Sequence, residues 1–284
     1  MKNPLLVLDV HYLMHRAYHS TQELSWKGKL TGAIFGFLKS LTFLKDEFQT
    51  DRIAFCFEHP HLFRWDIYPA YKRRRMAKKT EEERKASHHL TIQICELRKR
   101  YLPKIGFKNI FCYDGMESDD IMAAIARTST DEVVLVTADH DLFQCLRSNV
   151  MMYSPQARIL WTEERFTSEY GIPPWKWAVV KAMAGCSGDE VEGIKGIGES
   201  TAIRYLRGEL KLSSQAYQAI VSAKNRAIVR RNRALVALPF EGCPVPDLQE
   251  DEVDTKGWRE VCAELGMRTL AGRPPIATRA GGRR

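Results

Sequence analysis

Four short apolar runs in this sequence each give way to acidic residues, and that repetition constrains the fold more than any other feature. Leu5-Leu6-Val7-Leu8 runs into Asp9, and Ile53-Ala54-Phe55-Cys56-Phe57 into Glu58. Residues 107–111 are followed by Glu117-Ser118-Asp119-Asp120, and residues 133–136 by Thr137-Ala138-Asp139-His140-Asp141. The runs are rich in Val, Ile, Leu and Phe without polar alternation, which predicts strands buried on both faces. Helical patterns lie between them at 32–44, 89–101, 121–127 and 142–146, and a fifth apolar run occupies 150–153. Strand alternating with helix predicts an α/β fold, a mostly parallel sheet flanked by helices. Ligands of such sheets gather beyond the carboxyl ends of the strands, so the acidic groups are predicted to converge at one edge.

Carboxylates packed together repel one another unless a cation holds them. An all-oxygen donor set selects hard divalent ions, Mg²⁺ or Mn²⁺, over zinc. Two such ions about 4 Å apart acidify water and stabilise both oxygens of a phosphoryl displacement, so the cluster points to phosphodiester chemistry. Taken singly, Asp119 and Asp120 also suit a helix N-terminus, and Asp139 or Asp141 a turn. Turn residues have no reason to be acidic at every strand end.

From about Thr162 the pattern becomes helical alone, which predicts a first unit over 1–161 and a second over 162–271. Pro174 stands where a helix can begin, residues 216–238 read as one long basic helix, and 258–265 as a short amphipathic one. Residues 272–284, with Arg273, Arg279, Arg283 and Arg284, read as a disordered basic tail.

Two segments suit a polyanion. Residues 61–79 place aromatic side chains, among them Phe63, Trp65, Tyr68 and Tyr71, before six cations in the eight residues 72–79. Rings that stack on bases beside cations that neutralise phosphates are the composition of a single-strand channel; an isolated basic run is more simply a solvated helix. The turn Gly193-Ile194-Lys195-Gly196-Ile197-Gly198 feeds a helix at Glu199-Ser200-Thr201. Small glycines, Lys195 and a helix N-terminus together can grip a phosphate backbone without reading sequence. The excess of 43 Lys and Arg over 35 Asp and Glu agrees with such a partner, although basic charge also serves solubility.

Seven cysteines, an odd number without a Cys-x-x-Cys pair, argue against a disulfide framework or a structural zinc site and predict reduced core residues. No apolar run approaches the roughly 18 residues of a membrane span, and the amino terminus leads into a strand rather than a signal peptide. The chain is expected to be soluble, intracellular and without a membrane partner.

These motifs, in this order, resemble the phage and bacterial 5′-nucleases, the flap endonuclease family, over roughly residues 4–245. The resemblance is carried by Leu8-Asp9, Phe63-Arg64 with Tyr68-Pro69-x-Tyr71-Lys72, Gly115-x-Glu117-x-Asp119-Asp120, Val136-Thr137-Ala138-Asp139-x-Asp141-Leu142, and residues 185–201. It implies a PIN-like nuclease core with a helical arch inserted at 60–101 and a helix-three-turn-helix at 185–207. It implies a metal-dependent 5′-3′ exonuclease and flap endonuclease acting on branched DNA, 5′ ends or RNA primers in replication. Such an enzyme works as a monomer in the cytoplasm of a bacterial or phage-infected cell. Asp9, Glu58, Glu117 and Asp119 would surround one ion, and Asp120, Asp139, Asp141 and Asp189 a second. Lys72 and Arg75 match catalytic arch positions at the scissile phosphate. Arg64, Tyr71 and Arg73 would also meet nucleic acid, Tyr71 by stacking on a terminal base. Gly193, Lys195, Gly196, Gly198, Ser200 and Thr201 would hold duplex, and backbone carbonyls there can hold a K⁺ ion.

Two positions depart from the family pattern. Glu58 stands where Asp is usual, and Gly185-Cys186 where Gly-Asp is usual, leaving Asp189 as the only acid of that pair. A thiol is a poor ligand for Mg²⁺. The competing readings are a structure-specific DNA-binding protein whose catalysis has lapsed, and a single-strand ribonuclease on a related fold.

Overall fold

The computed structural model describes residues 3–21, 24–73 and 80–275. Its centre is a six-stranded sheet in the order β5-β4-β1-β6-β7-β8. The strands are β1 (Leu5–Asp9), β4 (Ile53–Cys56), β5 (Ile110–Phe111), β6 (Val133–Val136), β7 (Val150–Ser154) and β8 (Ile159–Trp161). All pairings are parallel except that of β7 with β8. A two-stranded hairpin, β2 (Ser25–Trp26) and β3 (Lys29–Leu30), joins α1 (Val10–Thr21) to α2 (Gly32–Phe48).

The central strands are apolar throughout because each face meets a different core. Leu6 and Leu8 of β1 pack with Val134 and Val136 of β6 in one cluster, which also holds Phe37 of α2 and Trp258. Leu5 and Val7 pack with Val133 and Leu135 in the other, beneath α6 (Ser118–Thr128). Burying such side chains contributes about 1.5–3 kcal/mol each.

Several elements differ from the sequence reading, each for a local reason. The run at 107–111 shortens to β5 because Lys108 and Asn109 are held instead by the distant carboxy-terminal segment: the Lys108 N–H donates to Asp251 at 2.7 Å and Asn109 exchanges hydrogen bonds with Gln249. The segment at 89–101 lies in helix α4 (Glu81–Glu96), which follows the short α3 (Arg64–Ile67) and continues through a π-turn at Leu97–Tyr101 into α5 (Leu102–Ile105). A capping box of Thr80 and Glu83 starts α4. Residues His140–Cys145 form a 3₁₀ turn rather than an α-helix. The long basic helix is two, α10 (Gln215–Val221) and α11 (Ala223–Val236), because Ser222 leaves helical geometry to cap α11 through the Asn225 amide.

Helices α7 (Glu163–Tyr170), α8 (Trp177–Ala184) and α9 (Glu199–Leu206) follow β8. Phe166 of α7 and Trp177 of α8 share the core cluster of Leu5 and Val7. Helix α12 (Thr255–Glu264) returns to the opposite face, with Trp258 fully buried in the cluster of Leu6 and Leu8. The apolar packing thus runs across position 161 without a break. Among the described residues, no helix is long and apolar enough to cross a membrane. The cysteines are free; Cys56, Cys186 and Cys262 are buried, while Cys95 is exposed against expectation.

Candidate active site

The carboxyl edge of the sheet gathers the acids. Asp9 ends β1, and its Oδ1 accepts the Tyr12 amide at 3.0 Å, so the carboxylate both caps α1 and faces its neighbours. The same oxygen accepts the Ser118 hydroxyl at 3.3 Å, and Oδ2 that of Thr137 at 3.1 Å, tying β1 to the start of α6 and the end of β6. Burial pushes the Asp9 carboxyl up to about 6 against these hydrogen bonds, and the charge of Asp139 adds to the rise. Burial, then Asp139, Asp9 and Glu117, hold Asp119 well above the ordinary carboxylate range. Asp119 Oδ1 is buried without a hydrogen-bond partner, an arrangement costly unless a cation meets it.

Glu117 is also buried, yet its carboxyl lies below the ordinary range: burial raises it, and Lys72 and Arg64 more than offset that. Lys72 donates its ammonium to Glu117 Oε1 and lies 3.9 Å from Asp189 Oδ1. Its backbone adopts φ of +56°, and its N–H donates to the Asp189 carbonyl at 3.1 Å. Burial disfavours the charged ammonium, but Glu117, Asp189 and Glu58 together raise its pKa. That places Glu58 within the same electrostatic field, its own N–H held by His11 Nδ1 at 3.1 Å.

The other half of the pocket lies at the end of β6. Asp139 Oδ1 accepts the Asp141 amide at 2.8 Å, so the two carboxylates stay together. Asp141 is pushed up to about 6 by burial and then by Asp139, with Lys181 opposing. The Lys181 ammonium sits 3.1 Å from Asp141 Oδ1 and 3.1 Å from Glu199 Oε1. Lys181 escaped the sequence reading because a lone lysine in an apolar helix carries no motif. Ser118 and Thr137 were likewise overlooked, although both lie inside the motifs that were read.

Three expected contacts are corrected. Asp120 does not face the pocket: both its oxygens are taken by Arg64, at 2.6 and 2.8 Å, and further by the amides of Glu117 at 3.0 Å and Phe240 at 2.7 Å. Arg64 is only 1% exposed and therefore serves this fork instead of nucleic acid. Tyr71 is buried too, and its hydroxyl donates to Glu117 Oε2 at 2.9 Å rather than leaving the ring free to stack. The sequence shows basic and aromatic composition but not which side chains turn inward. Arg73 is exposed, while Arg75 lies outside the described residues.

The glycine turn divides into two kinds of position. Strands β9 (Gly185–Cys186) and β10 (Val191–Glu192) pair, and a Cβ on Gly193 would overlap the Ala184 carbonyl, so this glycine serves packing. Gly196, with φ of +79°, and Gly198 have no atom within 4 Å of a built Cβ. Lys195, Gly196, Gly198 and Ser200 are exposed and Thr201 is half-buried, and the first amides of α9 carry no side-chain cap. Open backbone at a helix start leaves room for a phosphate backbone.

Comparison with known proteins bears on the fold and the family. The family model described as 5′-3′ exonuclease, N-terminal resolvase-like domain, matches residues 4–171. A 5′-3′ exonuclease of Bacillus subtilis is 31% identical over 217 residues, covering 72% of this chain and 70% of that protein. The thermostable DNA polymerase I of Thermus thermophilus is 30% identical over 72% of this chain, which spans only 24% of the polymerase. Among solved structures, T5 5′-exonuclease with divalent metal ions (zinc) bound superposes with a TM-score of 0.71 at 21% identity, covering 84% of this chain and 90% of that one.

Proposed function

The chain belongs to the 5′-3′ exonuclease family, and from that premise we propose that it is a metal-dependent, structure-selective 5′-3′ exonuclease and flap endonuclease. Its substrates are DNA with 5′ flaps or ends and RNA–DNA hybrid at primers, cleaved during replication by a monomer in the cytoplasm. The observation that carries this reading is the convergence of Asp9, Glu117 and Asp139 on Asp119, whose buried Oδ1 has no hydrogen-bond partner, with Asp141 held beside Asp139.

Two divalent ions, Mg²⁺ or Mn²⁺, supply Lewis acidity and an acidified water when bound. Asp9, Glu58, Glu117 and Asp119 are the residues that hold the first, and Asp139, Asp141 and Asp189 those that hold the second. Lys72 keeps its proton in this anionic field and carries it to the scissile phosphate by exchanging Glu117 for the substrate. Arg73 contacts the 5′ strand beside Lys72, and the family resemblance gives Arg75 a role at the scissile phosphate. Lys195, Gly196, Gly198, Ser200, Thr201 and the start of α9 hold the duplex backbone, with a K⁺ ion at the turn, so affinity falls steeply with salt.

The test uses an end-labelled 5′-flap substrate. Asp139→Asn abolishes cleavage in Mg²⁺ while leaving substrate binding in Ca²⁺ intact, and Lys72→Ala slows cleavage about 10²–10³-fold with little loss of affinity. Full turnover by Asp139→Asn removes this reading. Absence of product from the unaltered chain with any divalent ion favours instead the non-catalytic DNA-binding protein, which Cys186 supports.

A further inference from the structure

We infer that the second half of the pocket is a mixed oxygen–sulfur site, with Cys186 as a thiolate ligand beside Asp141 and Asp189, and that it takes a thiophilic divalent ion, Zn²⁺ ahead of Mg²⁺. This rests on the metal-dependent reading given above and adds the donor that sets selectivity at that site.

One donor atom from each of Asp141, Cys186 and Asp189 lies within 4.8 Å of the others. Donors around one tetrahedral zinc ion, with bonds of about 2.0–2.3 Å, stand about 3.3–3.8 Å apart, so side-chain rotations that move the donors by about 1 Å close the set. The thiol is held in place by backbone: Cys186 pairs with Val191 across β9 and β10, and Gly185 before it has φ of +79° with no room for a Cβ. The 3₁₀ turn Ser187–Asp189 then folds Asp189 back toward the same side. Cys186 Sγ already stands 3.9 Å from Asp141 Oδ2.

A separate observation calls for a cation in the half of the pocket that adjoins this site. Asp119 Oδ1 is buried with no partner, and among charged neighbours Asp139 bears on it most. Asp139 in turn holds the Asp141 amide. Lys181 pairs with Asp141 and also with Glu199, so it does not neutralise the group of acids by itself.

The donor chemistry decides which ion. Thiolate sulfur is soft and suits zinc, whereas Mg²⁺ requires oxygen. On binding, the sulfur–hydrogen bond is replaced by a sulfur–metal bond and the proton passes to solvent.

The test titrates Co²⁺, as a spectroscopic stand-in for Zn²⁺, into the full chain freed of metal. A sulfur-to-cobalt charge-transfer band is expected in the near ultraviolet, displaced by Zn²⁺ and not by equal Mg²⁺. Cys186→Ser loses the band and weakens Zn²⁺ binding about tenfold or more. Cys186→Asp lacks the band but binds Mg²⁺ more tightly than the unaltered chain in calorimetry. No band in the unaltered chain, or one undiminished in Cys186→Ser, overturns the inference. Flap cleavage in Mg²⁺ without a band leaves the nuclease reading standing and removes only this one; a band without cleavage by any ion does the reverse.

Discussion

The Arg64 guanidinium grips both oxygens of Asp120, at 2.6 and 2.8 Å, with the arginine 1% and the aspartate 0% exposed. Planar bidentate pairing of this kind fixes orientation as well as charge. Arg64 Nε also donates to the Leu235 carbonyl at 2.8 Å, and the guanidinium stacks 4.8 Å from the Phe240 ring. One pair therefore fastens the start of α6, which carries Glu117 and Asp119, to the end of α11.

Breaking that pair should be costly because the remaining charge stays buried. Asp120→Ala or Arg64→Met is expected to lose about 3–5 kcal/mol of stability in denaturant unfolding, whereas replacing both by apolar residues costs less than the sum. If Asp120 were instead a metal ligand, Asp120→Asn would lower metal affinity and leave metal-free stability nearly unchanged.

The two kinds of glycine give opposite outcomes. Gly193→Ala forces a Cβ into the Ala184 carbonyl and is expected to lower the melting temperature by several degrees with duplex affinity per folded molecule unchanged. Gly198→Ala meets open space at an ordinary φ of −93°, so stability should fall by only about 0.5–1 kcal/mol, the cost of Ala in place of Gly at an N-cap, while duplex affinity falls. Equal affinity for Gly198→Ala and the unaltered chain would remove this turn from the duplex interface.

The mostly parallel sheet and the gathering of acids at one edge were legible because both-face-buried strands leave unbroken apolar runs, as Leu5–Asp9 and Val133–Val136 do. Which acids face the pocket was not legible. Asp119 and Asp120 are adjacent in sequence and opposite in role, a difference made by Arg64, 56 positions from Asp120. Lys181 and the attachment of Asn109 to Gln249 are likewise long-range pairings, which no local pattern encodes. The break at Ser222 was present as a capping residue but hidden inside a helix-favouring sequence.

Because the pocket is anionic and buried, its stability should depend on pH in a sense opposite to that of an ordinary salt-bridged carboxylate. Asp9 and Asp141 are each raised from 3.8 to about 6. A carboxyl raised in the folded state favours folding while protonated; that contribution is complete below about pH 4 and lost as pH rises through about 6. Each group then forfeits on the order of 2–3 kcal/mol in the metal-free chain. Glu117, whose value is lowered by Lys72 and Arg64 despite its burial, works the other way and only at more acid pH. Divalent ions bind the charged carboxylates, so their stabilising effect should be small near pH 5 and large above about pH 7. Thermal melts in chelator are expected to decline between about pH 4 and pH 6, and excess Ca²⁺ to reduce the decline. A metal-free melting temperature that climbs across this interval, or a Ca²⁺ effect of equal size at both ends, would mean that Asp9 and Asp141 are not packed against other carboxylates in solution.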